Sequence, residues 1–383
     1  MGINRHLVVI DPIAFAGGSK VATENILRLL DKQQIRITVL SADAESWQWE
    51  NLKRVQLFEP RWLAKQQQGI PYFLRHLFIA FNLLITRLRF GKIDVALGAS
   101  GPGVDLSLYL IKPLLGFNIT QLVHGPVACS RTIGRCLKAA NKVHYLESSS
   151  ASLIAALSRV TNKNENLSDS RYQIMKNGLS EHNWPQPCQY TSPVIFWAAS
   201  LLKWKGLETL IDALDIFENQ NRPKTHICYI QPKQTSLPVS RAPVTMESVY
   251  WHAAPNNLDE IRSNASIFVS TSYKEPFGLS ILEAMTSGHC VVIPADGAYW
   301  DQILTHGVNC IKYEPGNAID LAANLFSLSN NMIYVMLLGS RGASLALEYR
   351  ATTQYQSIKN NILGITEAAK TKQPALAQSK ITP

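Results

Sequence analysis

Charged residues are scarce in this chain, 17% of 383 positions, and acidic ones are scarcer still, 28 Asp and Glu against 37 Lys and Arg. With 46% hydrophobic residues beside them, that scarcity excludes a disordered, solvating chain and implies buried cores. Cys-x-x-Cys is missing. The six cysteines, at 129, 136, 188, 228, 290 and 310, are dispersed, which excludes a metal cluster or disulfide framework on spacing and reads as reduced thiols of a cytoplasmic protein. The longest apolar run, "LFIAFNLLI" at 77–85, is about half of the roughly 20 residues a membrane span needs, so no crossing of a bilayer is expected. The N-terminal "MGINRHLVVIDPIAFAGG" has one short apolar run, broken by Asp11 and Pro12, which reads as a first strand rather than an export signal. Several nucleotide and metal motifs are lacking too. Gly-x-Gly-x-x-Gly and the P-loop pattern do not occur, which leaves no sign of nicotinamide, flavin or P-loop chemistry. The nearest approach to Asp-x-Asp is Asp43-Ala44-Glu45, so metal-dependent transfer is not expected. No repeat of roughly 20 to 50 residues is visible, which excludes a solenoid.

What is present is an alternation. From 6 to 175, β-branched runs ("HLVVI", "RITVLS", "DVALGAS", "ITQLVH", "VHYLE") alternate with helix-length segments after "GGSK" and around 71–90, 104–115, 130–141 and 150–158. That is the signature of βαβ units on a parallel sheet. Three prolines in "NWPQPCQYTSP" at 183–193 mark a linker. The alternation then restarts with "VIFWAAS", "THICYI", "SVYWH", "SIFVS", "CVVIP" and "NCIKY". The expectation is an α/β fold of two Rossmann-like domains facing each other across a cleft, with ligands at the carboxyl ends of the strands. The boundaries read as 1–182 for the first domain, 183–193 for the linker and 194–350 for the second domain. Residues 351–366 read as a helix returning to the first domain and 367–383 as a disordered tail.

The stretch "KEPFGLSILEAM" at 274–285 carries the chemistry. The strand "SIFVS" leads into a loop bearing Glu275, and a helix opening near Gly278 carries Glu283. Free backbone N–H groups at Phe277, Gly278, Leu279 and Ser280 would form an anion site suited to a diphosphate. An ionised carboxylate beside it can accept two vicinal hydroxyls of a sugar or a ribose. The plainer reading stands alongside: Glu275 complements the helix dipole and Glu283 is an exposed helix residue.

The stretch "EPFGLSILEAMTSGHCVVIPADG" at 275–297 resembles the signature of glycosyltransferase family 4, the retaining enzymes of GT-B fold with a Glu-x7-Glu motif. "WAASLLKWKGLETLIDAL" (197–214), "KNGLS" (176–180) and "AFAGGSKVATENILRLL" (14–30) resemble further family segments, in family order. The resemblance implies that Glu275 contacts the transferring sugar, that Gly278, Leu279 and Ser280 hold phosphate with Phe277 nearby, and that Glu283 takes the ribose. It implies further that Lys205 neutralises the leaving diphosphate in place of a metal, and that Gly17 and Gly18 meet the donor phosphate from the other domain. The donor would be a UDP- or GDP-sugar, with no cofactor and no metal. Ser200 stands where many members carry an Arg, and Lys203 is the nearest candidate for that second charge.

His124, after "ITQLV", sits at a strand end facing the cleft. Its position matches a family histidine near the reacting sugar, whereas a lone His is more often structural. Net charge of +9 and a pI near 9.2 favour an anionic partner. Arg131, Arg135, Lys138 and Lys142 recur at helical spacing, either as a solvated face or as a contact for anionic lipid or for the pyrophosphate of a lipid-linked acceptor. Cations at Arg61, Lys65, Arg75, Arg87, Arg89 and Lys92 flank "YFLRHLFIAFNLLITRLRF", which reads as a core helix or an interfacial one. The expected function is sugar transfer to a glycan or lipid-linked acceptor in cell-surface polysaccharide synthesis, at the cytoplasmic face of the membrane. A GT-B nucleotide-sugar epimerase and a non-catalytic polyanion- or membrane-binding protein stay open. Nucleic acid is not an expected partner, because no aromatic-bearing RNA-binding motif accompanies the charge.

Overall fold

The computed structural model describes residues 5–365 apart from 15–16, 31–34, 44–45, 61, 65, 67, 162–166, 233–234 and 236. The tail from 367, the Ala44-Glu45 part of the acidic pattern, Arg61 and Lys65 lie outside the described residues.

Strands β1 (Arg5–Asp11), β2 (Ile35–Ser41), β3 (Leu52–Gln56), β4 (Val95–Gly98), β5 (Asn118–Val123), β6 (Lys142–Leu146) and β7 (Tyr172–Met175) form a sheet in the order 3-2-1-4-5-6-7. All neighbours are parallel. Helices α1 (Gly18–Arg28), α2 (Gly69–Phe90), α3 (Leu106–Leu115), α4 (Arg131–Ala139) and α5 (Ser150–Ser158) connect its strands. Strands β1, β4, β5 and β6 are buried almost throughout, as a sheet covered on both faces requires. On one face, Val8, Ile10, Ile119 and Val143 pack under α2 to α5; on the other, Leu7, Val9 and Leu97 pack with α1.

The second sheet holds β8 (Ile195–Ser200), β9 (Thr225–Ile230), β10 (Val249–Ala253), β11 (Ile267–Val269), β12 (Cys290–Pro294) and β13 (Ile311–Tyr313), ordered 10-9-8-11-12-13. Its helices are α6 (Leu207–Asp215), α7 (Leu258–Ser263), α8 (Leu279–Ser287), α9 (Tyr299–Ile303), α10 (Ala318–Ser329) and α11 (Met332–Ala346). Two short helices, α12 (Ala351–Gln354) and α13 (Gln356–Leu363), end the described chain. Both sheets reverse strand order, at β1/β4 and at β8/β11, and a doubly wound sheet opens a ligand crevice at such a point.

Two segments pass between the sheets. One follows β7: Leu179 N–H donates to Tyr349 O (2.9 Å), and Cys188 N–H donates to Ser287 O (2.7 Å). The other runs from α11 to α13, where Ala351 N–H donates to Leu179 O (2.8 Å) and Tyr355 hydroxyl donates to Asn177 Oδ1 (3.2 Å). Helix α13 lies on the first sheet, with Ser357 Oγ donating to Gln173 Oε1 (2.6 Å) and Arg5 donating to Ile362 O (3.0 Å).

Three sequence expectations change. Strands β3 and β7 are not legible, because "LKRVQ" and "YQIM" are short edge strands, the first with polar residues at three of its five positions. The nine-residue apolar run belongs to a 22-residue helix, α2, which by length and composition alone could cross a membrane. Lys142 is not on the helix with Arg131, Arg135 and Lys138: α4 ends at Ala139, Ala140 is extended, and Lys142 opens β6, donating to Ser170 O at 3.0 Å.

Candidate active site

The crevice is lined by whatever follows β1, β5, β8 and β11, and the sequence places its candidates there. Gly17 is the extended N-cap of α1. A Cβ on Gly18 would lie 3.8 Å from Leu279 Cδ1, so the first domain's opening loop meets the start of α8 across the cleft. Beside it, a Cβ on Gly125 would lie 3.9 Å from Pro276 Cγ, and Ser148 Oγ donates to Pro276 O at 3.2 Å. His124 adjoins this contact. Both of its ring nitrogens are buried without a hydrogen-bond partner, and burial lowers its pKa to about 4. A neutral imidazole with two unmet polar atoms is costly in a folded core unless a polar group satisfies it.

From the second domain, β8 leads through a 3-10 turn, Lys203–Lys205, into α6. The Lys-Gly pair has a local cause. Gly206 lies at φ 70°, and an added Cβ would collide with the Thr271 carbonyl oxygen, so only glycine closes this turn. Thr271 Oγ1 donates to Lys205 O (2.8 Å) and accepts from Trp197 Nε1 (2.9 Å), which fixes the lysine's backbone. Lys205 Nζ forms an ion pair with Glu275 and lies 4.1 Å from the Trp204 ring centroid. Lys203, by contrast, is exposed.

The loop after β11 is pinned by Lys274, whose N–H donates to Asp296 Oδ2 at 2.6 Å. Glu275 therefore points back to Lys205 rather than outward. Phe277 is 2% exposed, its ring among Tyr299, Trp300 and Tyr349, so only its backbone is left to face a ligand. Gly278 takes φ 82°, and its carbonyl accepts from Trp300 Nε1 (3.1 Å) and from the N–H groups of Ile281 and Leu282. A Cβ there would press on Ile281 Cδ1 (2.9 Å) and Glu275 Cγ (3.1 Å). Among the described residues, the N–H groups of Phe277, Gly278, Leu279 and Ser280 make no backbone hydrogen bond. They open the positive end of α8 beside Lys205.

Glu283, one turn into α8, is partly buried and faces Arg262 Nη2 at 3.4 Å. Burial raises its pKa against the opposing pull of Arg262. Arg262, buried on α7, also reaches Asp259 Oδ1 at 3.7 Å. Sequence reasoning missed Arg262 and Ser148: each is one polar residue among many, and only the three-dimensional packing brings them to the cleft. The acidic pattern at Asp43 has another use, since Asp43 Oδ2 pairs with Lys20 Nζ at 2.9 Å. Arg131, Arg135 and Lys138 are exposed on the outer side of α4 rather than in the crevice.

Residues 181–340 match the family Glycosyl transferases group 1. No curated protein matches the chain. Among solved structures, Anabaena HepE in complex with UDP and glucose is similar at TM-score 0.68 and 15% identity, over 93% of this chain and 99% of that one. A sucrose-phosphate synthase from Thermosynechococcus elongatus is similar at TM-score 0.67 and 14% identity, over 97% and 100%. A glycosyltransferase from Rickettsia africae is similar at 0.65 and 12%, over 95% and 100%. These are likenesses of fold, and the fold is GT-B. With residues 181–340 matching the group 1 glycosyl transferases, the chain is a transferase enzyme.

Proposed function

We propose that this enzyme is a retaining glycosyltransferase of glycosyltransferase family 4. It moves a sugar from a UDP- or GDP-sugar to a glycan or lipid-linked acceptor in cell-surface polysaccharide synthesis, at the cytoplasmic face of the membrane. The observation that carries this reading is the Lys205–Glu275 ion pair set beside four backbone N–H groups at the start of α8. Solved structures of HepE with UDP-glucose support a nucleotide sugar as the donor.

In this reading the amides of residues 277–280 and the Lys205 ammonium take the diphosphate, which parts Lys205 from Glu275. Glu275 then accepts hydroxyls of the sugar, and neutral His124 supplies a further hydrogen bond with its unmet nitrogens. Glu283 takes the ribose hydroxyls, held in place by Arg262. As the bond from the anomeric carbon to the phosphate oxygen breaks, negative charge grows where Lys205 and the helix N-terminus already point. The acceptor oxygen bonds the same face of that carbon, and its proton passes to the departing phosphate. No organic cofactor or metal is needed for these steps, since the chain supplies the cation.

The test is turnover of UDP- and GDP-sugars followed by NMR of the transferred or released sugar. An α-configured product from an α-linked donor is expected. A β-configured product would overturn retention, and an epimerised donor would favour an epimerase of the same fold.

A further inference from the structure

Helix α2 is built the wrong way round for a surface helix in water. Its inner face buries His76, Ile79, Leu83 and Thr86, as a connecting helix should. Its outer face, where polar residues belong, carries Ile70, Phe73, Leu77, Phe81, Ile85 and Leu88, each between 44% and 78% exposed. At 100° per residue these six fall within an arc of about 120°, running roughly 27 Å along the helix. Arg87 and Arg89 lie about 40° beyond the two edges of that arc, one on each side. Leu110 and Leu114 of the adjoining α3 extend the apolar surface, at 39% and 69% exposed.

The charged side chains on the helices of the same layer are all cations, carried by α2, α3 and α4. Helices α2, α3, α4 and α5 cover one face of the first sheet, and their sequences hold seven Lys and Arg but no Asp or Glu. Arg131, Arg135 and Lys138 point outward from α4, on the side opposite its buried Ile133, Cys136 and Leu137. An apolar stripe flanked by cations that can extend past it, on helices without a carboxylate of their own and with Glu59 already paired to Arg75 at 2.8 Å, complements an anionic lipid surface. A second copy of the chain fits less well. Two such faces pressed together would bury Arg87 and Arg89 with no acid on either helix to pair them. A transmembrane path fits worse, because Asn82 exchanges hydrogen bonds with the Phe58 backbone at 3.0 and 2.8 Å and the inner face is part of the core.

We propose that the outer surface of the α2 to α4 layer docks on an anionic bilayer. Helix α2 lies in the headgroup plane with its stripe immersed, and the arginines of α2 and α4 sit on lipid phosphates. Tyr72 on the first turn of α2 donates to Gly103 O (2.6 Å), in the loop after β4, so one end of the stripe lies at the crevice side of the sheet. This rests on the surface alone and not on the donor site.

The test is co-sedimentation of the full chain with vesicles of phosphatidylcholine alone and of phosphatidylcholine mixed with phosphatidylglycerol. Wild type should bind the anionic vesicles about tenfold more tightly, and less so as salt is raised. The pair Leu77→Gln and Phe81→Gln should lose about tenfold or more in binding to both vesicles, with the melting temperature kept. The pair Arg87→Glu and Arg89→Glu should lose the preference for anionic lipid. Should the first pair fail to fold, Leu88→Gln replaces it at the most exposed position. Failure of wild type to pellet with either vesicle, or undiminished binding by the stripe variant, would overturn the proposal. So would a wild-type dimer, seen by light scattering, that the stripe variant splits without any vesicle binding.

Discussion

At the scale of single residues, the site is a set of charges already paired within the protein. Lys205 and Glu275 are each other's counter-ion, and Glu283 has Arg262. In the proposed function a diphosphate and its sugar would replace these partners rather than meet bare charges, and the ion pairs hold the side chains in place beforehand. Lys205→Met should therefore lower kcat for donor turnover by about 10²- to 10³-fold, the typical loss when one preorganised charge-stabilising group is removed. Steady-state kinetics with a saturating nucleotide sugar measures it, and an unchanged kcat would assign Lys205 a purely local role. The two glutamates are legible because their spacing is short and one turn joins them, whereas Lys205, 70 residues before Glu275, is legible only through the Lys-Gly segment at 197–214. Arg262 was not, since α7 reaches Glu283 only through the packing of α7 on α8. His124 was legible as a position, but its unmet nitrogens became visible only once the strand end and the facing loop were in place.

At the scale of elements, the turns do the positioning. The loop from β8 to α6 closes only because residue 206 has no side chain, with φ at 70° and the Thr271 carbonyl directly against it. Gly206→Ala should destabilise the protein by about 2–4 kcal/mol, combining left-handed strain with a backbone collision. Denaturant unfolding gives the figure, and a loss below about 0.5 kcal/mol, the usual span of a neutral surface change, would mean that the turn can rearrange. Long, regular elements could be read from sequence to within a few residues, among them α2, α5, β9 and β12. The cationic spacing of Arg131, Arg135 and Lys138 runs on to Lys142, past the end of α4. Charge periodicity carries no information about where backbone hydrogen bonding stops, and here the next strand begins instead.

At the scale of the whole molecule, two doubly wound sheets meet at their switch points, joined by two segments that hydrogen-bond to each other at Leu179 and Ala351. This architecture followed from strand–helix alternation and one proline-rich linker. The contacts that tie α13 back to the first sheet could not, because they pair residues far apart in sequence through ordinary polar side chains. Burial also sets how the whole fold responds to acid. His76 is lowered to about 3, and His124, His144 and His289 to about 4, all chiefly by desolvation. The unfolded chain takes up these four protons near pH 6.5 and the folded chain does not, so stability is lost as pH falls from there towards 4, by up to about 1.4 kcal/mol per histidine per unit. Asp105 works in the opposite sense. Burial raises it to about 7, so the folded chain takes its proton first and gains stability as pH falls from 7 towards 4. His226 is likewise lowered to about 4, and His6 and His252 are lowered too, while buried Glu283 is raised in the sense of Asp105. The excess of histidines predicts a melting temperature that drops between pH 6.5 and 5, and drops more steeply in Asp105→Asn. A flat profile in both proteins would contradict it.

The central claim is that Glu283 and the start of α8 hold a nucleoside diphosphate. The most direct measurement is calorimetric titration of UDP and GDP into wild type and Glu283→Ala. The account predicts saturable binding of one nucleotide by wild type, weakened about tenfold or more in the variant, the scale of one lost charged hydrogen bond. Equal binding by the two proteins, or no binding of either nucleotide by wild type, would contradict it.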